Sequence, residues 1–117
     1  MKKYEVLFRI EAAGFHEDEV AERVGELFDG SKLEPGNMMS FMWTRRRKDR
    51  GLMYESLVNV VNTANDRLEA AEKAGLLLDV DKMEPSMGIS LVGARRVRSD
   101  VEKRMGGLIY KREKVAA

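Results

Sequence analysis

The segment KLEPGNMMSFMWTRR at residues 32–46 returns 50 positions later as KMEPSMGISLVGARR at residues 82–96. Both copies carry lysine, an apolar residue, glutamate and proline, followed ten residues after the proline by an arginine pair. Convergent amphipathic patterning reproduces apolar positions but not this string of polar identities, so the match indicates a tandem duplication. The same offset keeps the two halves in register without a gap from Tyr4 and Tyr54 onward. The first copy is predicted to span residues 3–50 and the second residues 53–100.

Each copy begins with the pattern of a half-buried strand followed by a helix. Residues 3–11 alternate, so that Tyr4, Val6, Phe8 and Ile10 share one face, and the copy of this strand is Tyr54–Val61. The apolar residues at helical spacing that follow are Val20, Val24, Leu27 and Phe28 in the first copy and Leu68, Ala71, Gly75 and Leu78 in the second. The sequence therefore predicts a helix in each half with these residues on its buried face.

A second strand follows the helix in each copy. Pro35 and Pro85 end the loop after the helix, because proline cannot continue a helix and restricts the residue before it to extended geometry. By alternation, the side chains expected to face the helices are Met39, Phe41 and Trp43 in the first copy and Ile89, Leu91 and Gly93 in the second. Thr44, Arg46 and Ala94 are then expected on the opposite face.

The order of the elements predicts how the two copies combine. The link at residues 48–51 is short and ends in Gly51, which suits a β-hairpin within one sheet. The resulting β-α-β-β-α-β order resembles the ferredoxin-like superfold, a four-stranded antiparallel sheet with both helices on one face and the first and third strands central. One α+β domain is therefore expected at residues 1–100. Residues 101–117 form a tail without a counterpart, expected to cross the open sheet face, to add an edge strand or helix, or to exchange with a second molecule.

The amino-acid composition limits the classes of protein to which the chain can belong. The 117 residues are 44% hydrophobic and 35% charged, contain no cysteine and carry a net charge of +1, which favours a cytoplasmic globular protein without disulfides, thiolate ligands or a membrane span. The single histidine, His16, is interpreted as a solvated residue at a helix start. No phosphate-binding loop, metal-ligand spacing or catalytic constellation is recognisable, so the sequence predicts no enzyme activity, no cofactor and no small-molecule ligand.

Two sets of residues remain as candidate sites. The first is an apolar patch on the sheet face turned away from the helices, extended by the apolar tail: Leu7, Leu57, Met42, Val92, Leu108, Ile109 and Tyr110. Such a patch in a polar surround is typical of protein contact surfaces. The leading hypothesis is therefore a protein-binding or self-associating module, whose partner is another protein or a second copy.

The second set is basic and supports the alternative of a nucleic-acid-binding module. It comprises the arginines at the ends of the second and fourth strands: Arg45, Arg46, Arg47, Arg95 and Arg96. Arginine suits phosphate recognition because its planar fork donates two parallel hydrogen bonds. The two groups are expected at diagonally opposite corners of the sheet, roughly 30 Å apart. They would then form two separate patches that contact phosphates or that only protect the sheet edges from aggregation.

Overall fold

The computed structural model describes residues 1–47, 51–97 and 108–111. In these residues the chain forms an α+β fold of an antiparallel sheet, two helices and two short 3-10 turns. In chain order the elements are β1 (Lys2–Ala13), α1 (Glu17–Gly25), a 3-10 turn (Gly30–Lys32), β2 (Met38–Arg46), β3 (Met53–Ala64), α2 (Arg67–Gly75), a 3-10 turn (Val80–Lys82), β4 (Gly88–Arg96) and β5 (Leu108–Lys111).

The strands lie in the order β4-β1-β3-β2-β5, and all neighbouring pairs are antiparallel. The predicted central position of β1 and β3 is confirmed. The predicted four-stranded antiparallel sheet is formed by β4, β1, β3 and β2. β5 is the added edge strand that was one of the alternatives for the tail, and it pairs with Met38, Met39 and Ser40 of β2. Thus the described part of the tail adds a strand at the β2 edge. The predicted interface residues Leu108, Ile109 and Tyr110 lie on this added strand.

Both helices pack on the same face of the sheet. The buried side chains of β1 and β3 form one cluster with those of the helices, which are Val20 and Val24 of α1 and Ala70 and Ala74 of α2. Burying a valine-sized side chain contributes roughly 1.5–3 kcal/mol, so this layer is the main source of stability. We call this side of the sheet the covered face. The opposite side, to which neither helix contributes core residues, is the open face.

The buried side of α2 differs from the prediction. Ala70, Ala74 and Leu77 are buried, whereas Leu68 is 70% exposed. The buried residues lie 50 positions after Val20, Val24 and Leu27 of the first half. The helix therefore packs through two alanines, which bring its backbone close to the sheet, and turns its leucine outward.

Candidate functional site

A β-bulge in each of the strands β2 and β4, which flank the central pair, shapes the open face. The pairing of β2 with β3 shifts between Phe41 and Trp43, so Met42 is an extra residue without a direct partner. The pairing of β4 with β1 shifts in the same way around Val92. A bulge adds one residue to a strand and reverses the alternation of the residues that follow it. The side chains of β2 and β4 consequently change faces at equivalent points.

The bulges overturn the prediction for the residues beyond them. Trp43 pairs with Leu57 and Gly93 with Leu7, which places both on the open face instead of the covered face. Thr44 turns to the covered face, where its hydroxyl lies 2.7 Å from the hydroxyl of Ser56. In β4 the corresponding Ala94 packs against the core. Arg46 also moves to the covered face, since it pairs with Tyr54.

The four sheet residues of the predicted apolar patch lie together in the structure. Leu7, Leu57, Met42 and Val92 line one open depression of about 370 Å³ on the open face. Val92 is 56% exposed and Met42 36% exposed, whereas Leu7 and Leu57 are half-buried. The floor also includes the side of Asn59, which is 4% exposed. The depression is thus an apolar surface with a polar group beneath it.

Two buried carboxylates flank this depression, and each has a cationic or amide partner on both sides. Glu55 accepts hydrogen bonds from Arg45 Nε at 2.7 Å and Arg9 Nε at 2.8 Å. Glu5 accepts from Arg95 Nε and, at 3.0 Å, from Asn59 Nδ2. Both glutamates are 8% exposed. The charges of the open face are therefore largely compensated within the chain.

The hydrogen bond from Arg45, together with that from Arg9, holds the pKa of Glu55 below its ordinary value of 4.5, against the opposing effect of burial. A carboxyl whose pKa is lower in the folded state stabilises the fold above its unfolded-state pKa. That contribution is lost as the pH falls through the folded-state pKa. Acid should therefore weaken the fold partly through Glu55.

We expect the Glu55→Gln variant to lose less stability than the wild type when the pH falls from about 5 toward the lowered pKa of Glu55. Glutamine keeps the size of the side chain but cannot titrate. The measurement is the free energy of unfolding in urea at several pH values. Glu22→Gln, at an exposed glutamate of α1, is the control. An equal loss in the wild type and Glu55→Gln would contradict the role given to this carboxylate.

The predicted arginine set is divided between the two ends of the sheet. Arg45 of β2 lies opposite Glu55, which is level with Glu11 of β1, whereas Arg95 of β4 lies opposite Glu5 of β1. The two positions are therefore six residues apart along β1 and three strands apart across the sheet, so Arg45 and Arg95 are about 25 Å apart. Arg46 Nε donates to the Gly51 carbonyl at 3.0 Å, and Arg47 Nη1 donates to Glu11 at 2.9 Å. Arg96 is exposed on the covered face beyond Tyr4. The structure therefore does not gather these arginines into one groove.

Two residues of the open face were not among the predicted site residues, and one of them, Trp43, was expected to face the helices. Trp43 lies beside Arg45, whose guanidinium carbon is 4.3 Å from the centroid of the ring. Asn59 carries a buried Oδ1 without a hydrogen-bond partner among the described residues. The run Phe41-Met42-Trp43 could have indicated the bulge, since three consecutive large apolar residues do not fit an alternating strand.

Other chemistry is sparse in the described segments. His16 is exposed at the start of α1, as predicted, and makes no side-chain cap hydrogen bond. Within residues 1–47, 51–97 and 108–111, no three acidic, histidine or cysteine side chains are grouped so that they could hold a metal ion. None of the helices described combines the length and apolar composition needed to cross a membrane.

Comparison of the chain with protein-family models, with curated proteins and with solved structures finds no match.

Proposed function

We propose that the chain is a ferredoxin-like domain made by tandem duplication of a β-α-β unit. The pairing of residues 50 positions apart supports this: Phe8 lies opposite Val58, and Phe28 forms a bridge with Leu78. Two backbone hydrogen bonds of 2.7 Å, from Asp29 to Leu77 and from Asp79 to Leu27, are also related by this offset. A twofold relation between the halves accounts for all of these contacts.

The function that we propose for this domain is non-enzymatic protein binding or self-association through the open face. The observation that carries the proposal is the depression lined by Leu7, Leu57, Met42 and Val92. An apolar centre with a polar rim is the usual anatomy of a protein interface. The rim charges already have partners within the chain, so covering the face would leave few of them unpaired. The predicted interface residues Leu108, Ile109 and Tyr110 belong to β5, at the β2 edge of the same sheet.

The test is to place a charge in the centre of the depression. We expect Leu57→Glu to abolish association of the protein with itself or with a partner, because it places a carboxylate in the apolar centre of the contact, where the neighbouring Arg9 is already paired with Glu55 and Glu11. Sedimentation velocity over a range of concentrations measures self-association, and comparison of the proteins captured from a host extract measures partner binding. Leu68→Glu, at an exposed leucine of α2, is the matched control. A monomeric wild type that captures the same proteins as Leu57→Glu would contradict the proposal.

One observation favours nucleic-acid binding as the second candidate. Trp43 lies on the open face with the guanidinium of Arg45 against its ring, and sheets that bind RNA use exposed aromatic rings to stack bases. Phe8 and Phe41, however, face the helices, and the carboxylates of Glu5 and Glu55 offset the positive charge of the arginines. This candidate predicts salt-sensitive retention on RNA or DNA that falls when the pairs Arg45-Arg46 and Arg95-Arg96 become alanine. Unchanged retention would exclude it.

A further inference from the structure

We propose that the occupant of the open face is a second copy of this chain, packed face to face about a twofold axis with Trp43 of each protomer against Gly93 of its partner. This inference rests on the proposed function of the open face and names the partner for it. Three features support it: a partly exposed ring, open space at a complementary position, and the geometry that relates them.

The ring is that of Trp43, the single tryptophan of the chain. The bulge at Met42 turns it onto the open face next to Leu57, where it remains partly exposed. The adjacent guanidinium of Arg45 stacks on the ring and restricts its orientation. Tryptophan is among the residues most enriched at the energetic centres of interfaces. A large ring already oriented by its neighbour costs less conformational entropy to bury than a mobile side chain.

The gap is at Gly93, the residue 50 positions after Trp43. The bulge at Val92 turns Gly93 onto the open face, and it lines the depression beside Leu7. A Cβ placed on Gly93 would meet no heavy atom within 4 Å. Where β2 carries a ring, β4 therefore leaves open space above its backbone.

The ring and the gap are placed so that two copies complement each other. Trp43 lies on β2, level with Arg9 of β1, and Gly93 lies on β4, level with Leu7 of β1. They mark the ends of a diagonal of about 16 Å through the centre of the face. A twofold axis between two facing sheets, perpendicular to this diagonal, places each ring over the glycine of the other copy. One surface thus makes the same contact twice, which is the requirement of a symmetric dimer.

The size of the face agrees with a dimer of moderate affinity. Four strands cover about 20 Å by 27 Å, which corresponds to roughly 500 Å² per partner and about 1,000 Å² in total. That area is at the lower limit for a specific interface, so affinity would depend strongly on the two tryptophan contacts. The described strand of the tail, β5, pairs at the β2 edge of the sheet.

The experiment uses the 117-residue chain and replaces Gly93 by tryptophan, the residue found at position 43 in the first half. We expect the wild type to dimerise in sedimentation velocity, with the fluorescence emission of Trp43 shifting to shorter wavelength as the dimer fraction rises. G93W and W43A should each weaken dimerisation at least tenfold, because one fills the gap and the other removes the ring. The double variant W43G/G93W should regain part of the affinity, since ring and gap exchange places and Arg95 stands beside position 93 as Arg45 stands beside position 43.

The control is L91W, which adds a ring to the same strand on the covered face and should dimerise like the wild type. If the wild type dimerises and Leu57→Glu does not, but G93W has no effect, this arrangement is wrong and the proposed function stands. If the wild type remains monomeric at all concentrations, the inference is wrong. The proposed function then depends on whether Leu57→Glu loses a partner that the wild type captures.

Discussion

Replacement of Gly14 by alanine is expected to destabilise the protein by about 1–3 kcal/mol. A Cβ on this buried glycine would lie 2.4 Å from Cγ2 of Val20, a distance at which one of the two must move. Val20 is fully buried in the core between α1 and the sheet, so it has little room to move. Gly14 does not have a positive φ angle, and the steric contact is therefore the main obstacle. The measurement is the free energy of unfolding in urea.

The second half of the chain supplies the rescue for this variant. Residues 64 and 70, which lie 50 positions after Gly14 and Val20, are both alanine and both fully buried. Glycine beside valine in one half thus corresponds to alanine beside alanine in the other. We expect the double variant Gly14→Ala/Val20→Ala to be less destabilised than the sum of the single variants, with a coupling of about 0.5–3 kcal/mol.

Gly25→Ala is the control for Gly14→Ala. Gly25 is the last residue of α1, and no heavy atom lies within 4 Å of a Cβ built on it. Alanine there should leave stability unchanged or raise it by up to about 1 kcal/mol, because it restricts the unfolded chain. Strict additivity of Gly14→Ala and Val20→Ala would show that the contact does not limit packing at this site.

The offset of 50 residues explains most of what could be predicted from the sequence. It aligns a clearly alternating strand, residues 3–11, with a weaker counterpart, Tyr54–Val61. The element order that results, by its resemblance to the ferredoxin-like superfold, predicted the observed central position of β1 and β3. The buried face of α2 was predicted wrongly because its apolar residues were assessed by hydrophobicity alone. Ala70 and Ala74 are less hydrophobic than Leu68, and only their correspondence with Val20 and Val24 indicates that they are buried.

The open face was harder to predict because it depends on two single-residue insertions. Alternation assigns a face correctly up to Met42 and Val92 and incorrectly after them. A bulge is a local change in the backbone pairing of two strands, and the pattern of one strand does not contain it. Four apolar residues of the patch were placed correctly because Leu7 and Leu57 are in unbulged strands and the other two are the bulged residues themselves.

Val61→Glu is expected to destabilise the protein by about 3–5 kcal/mol, since it introduces a buried charge without a partner. Val61 is fully buried on the open face, where it contacts Met38, and Val97 packs against both. The corresponding positions in the first half carry Glu11 and Arg47, whose carboxylate and guanidinium are 2.9 Å apart. One half therefore closes this corner of the sheet with an ion pair, and the other closes it with an apolar contact.

Val97→Arg should consequently have opposite effects in the two backgrounds. Alone, it removes an apolar contact and lowers stability modestly; combined with Val61→Glu, it should raise stability by recreating the ion pair of the first half. The rescue will be partial, because Glu11 also contacts Arg9 at 2.8 Å, whereas the counterpart of Arg9 is Asn59. Unfolding in urea measures both effects, and Val61→Gln replaces Val61→Glu if the glutamate variant does not fold. Additive losses would mean that the two corners are not equivalent, whereas recovery in the double variant would mean that an ion pair can close the second corner as it closes the first.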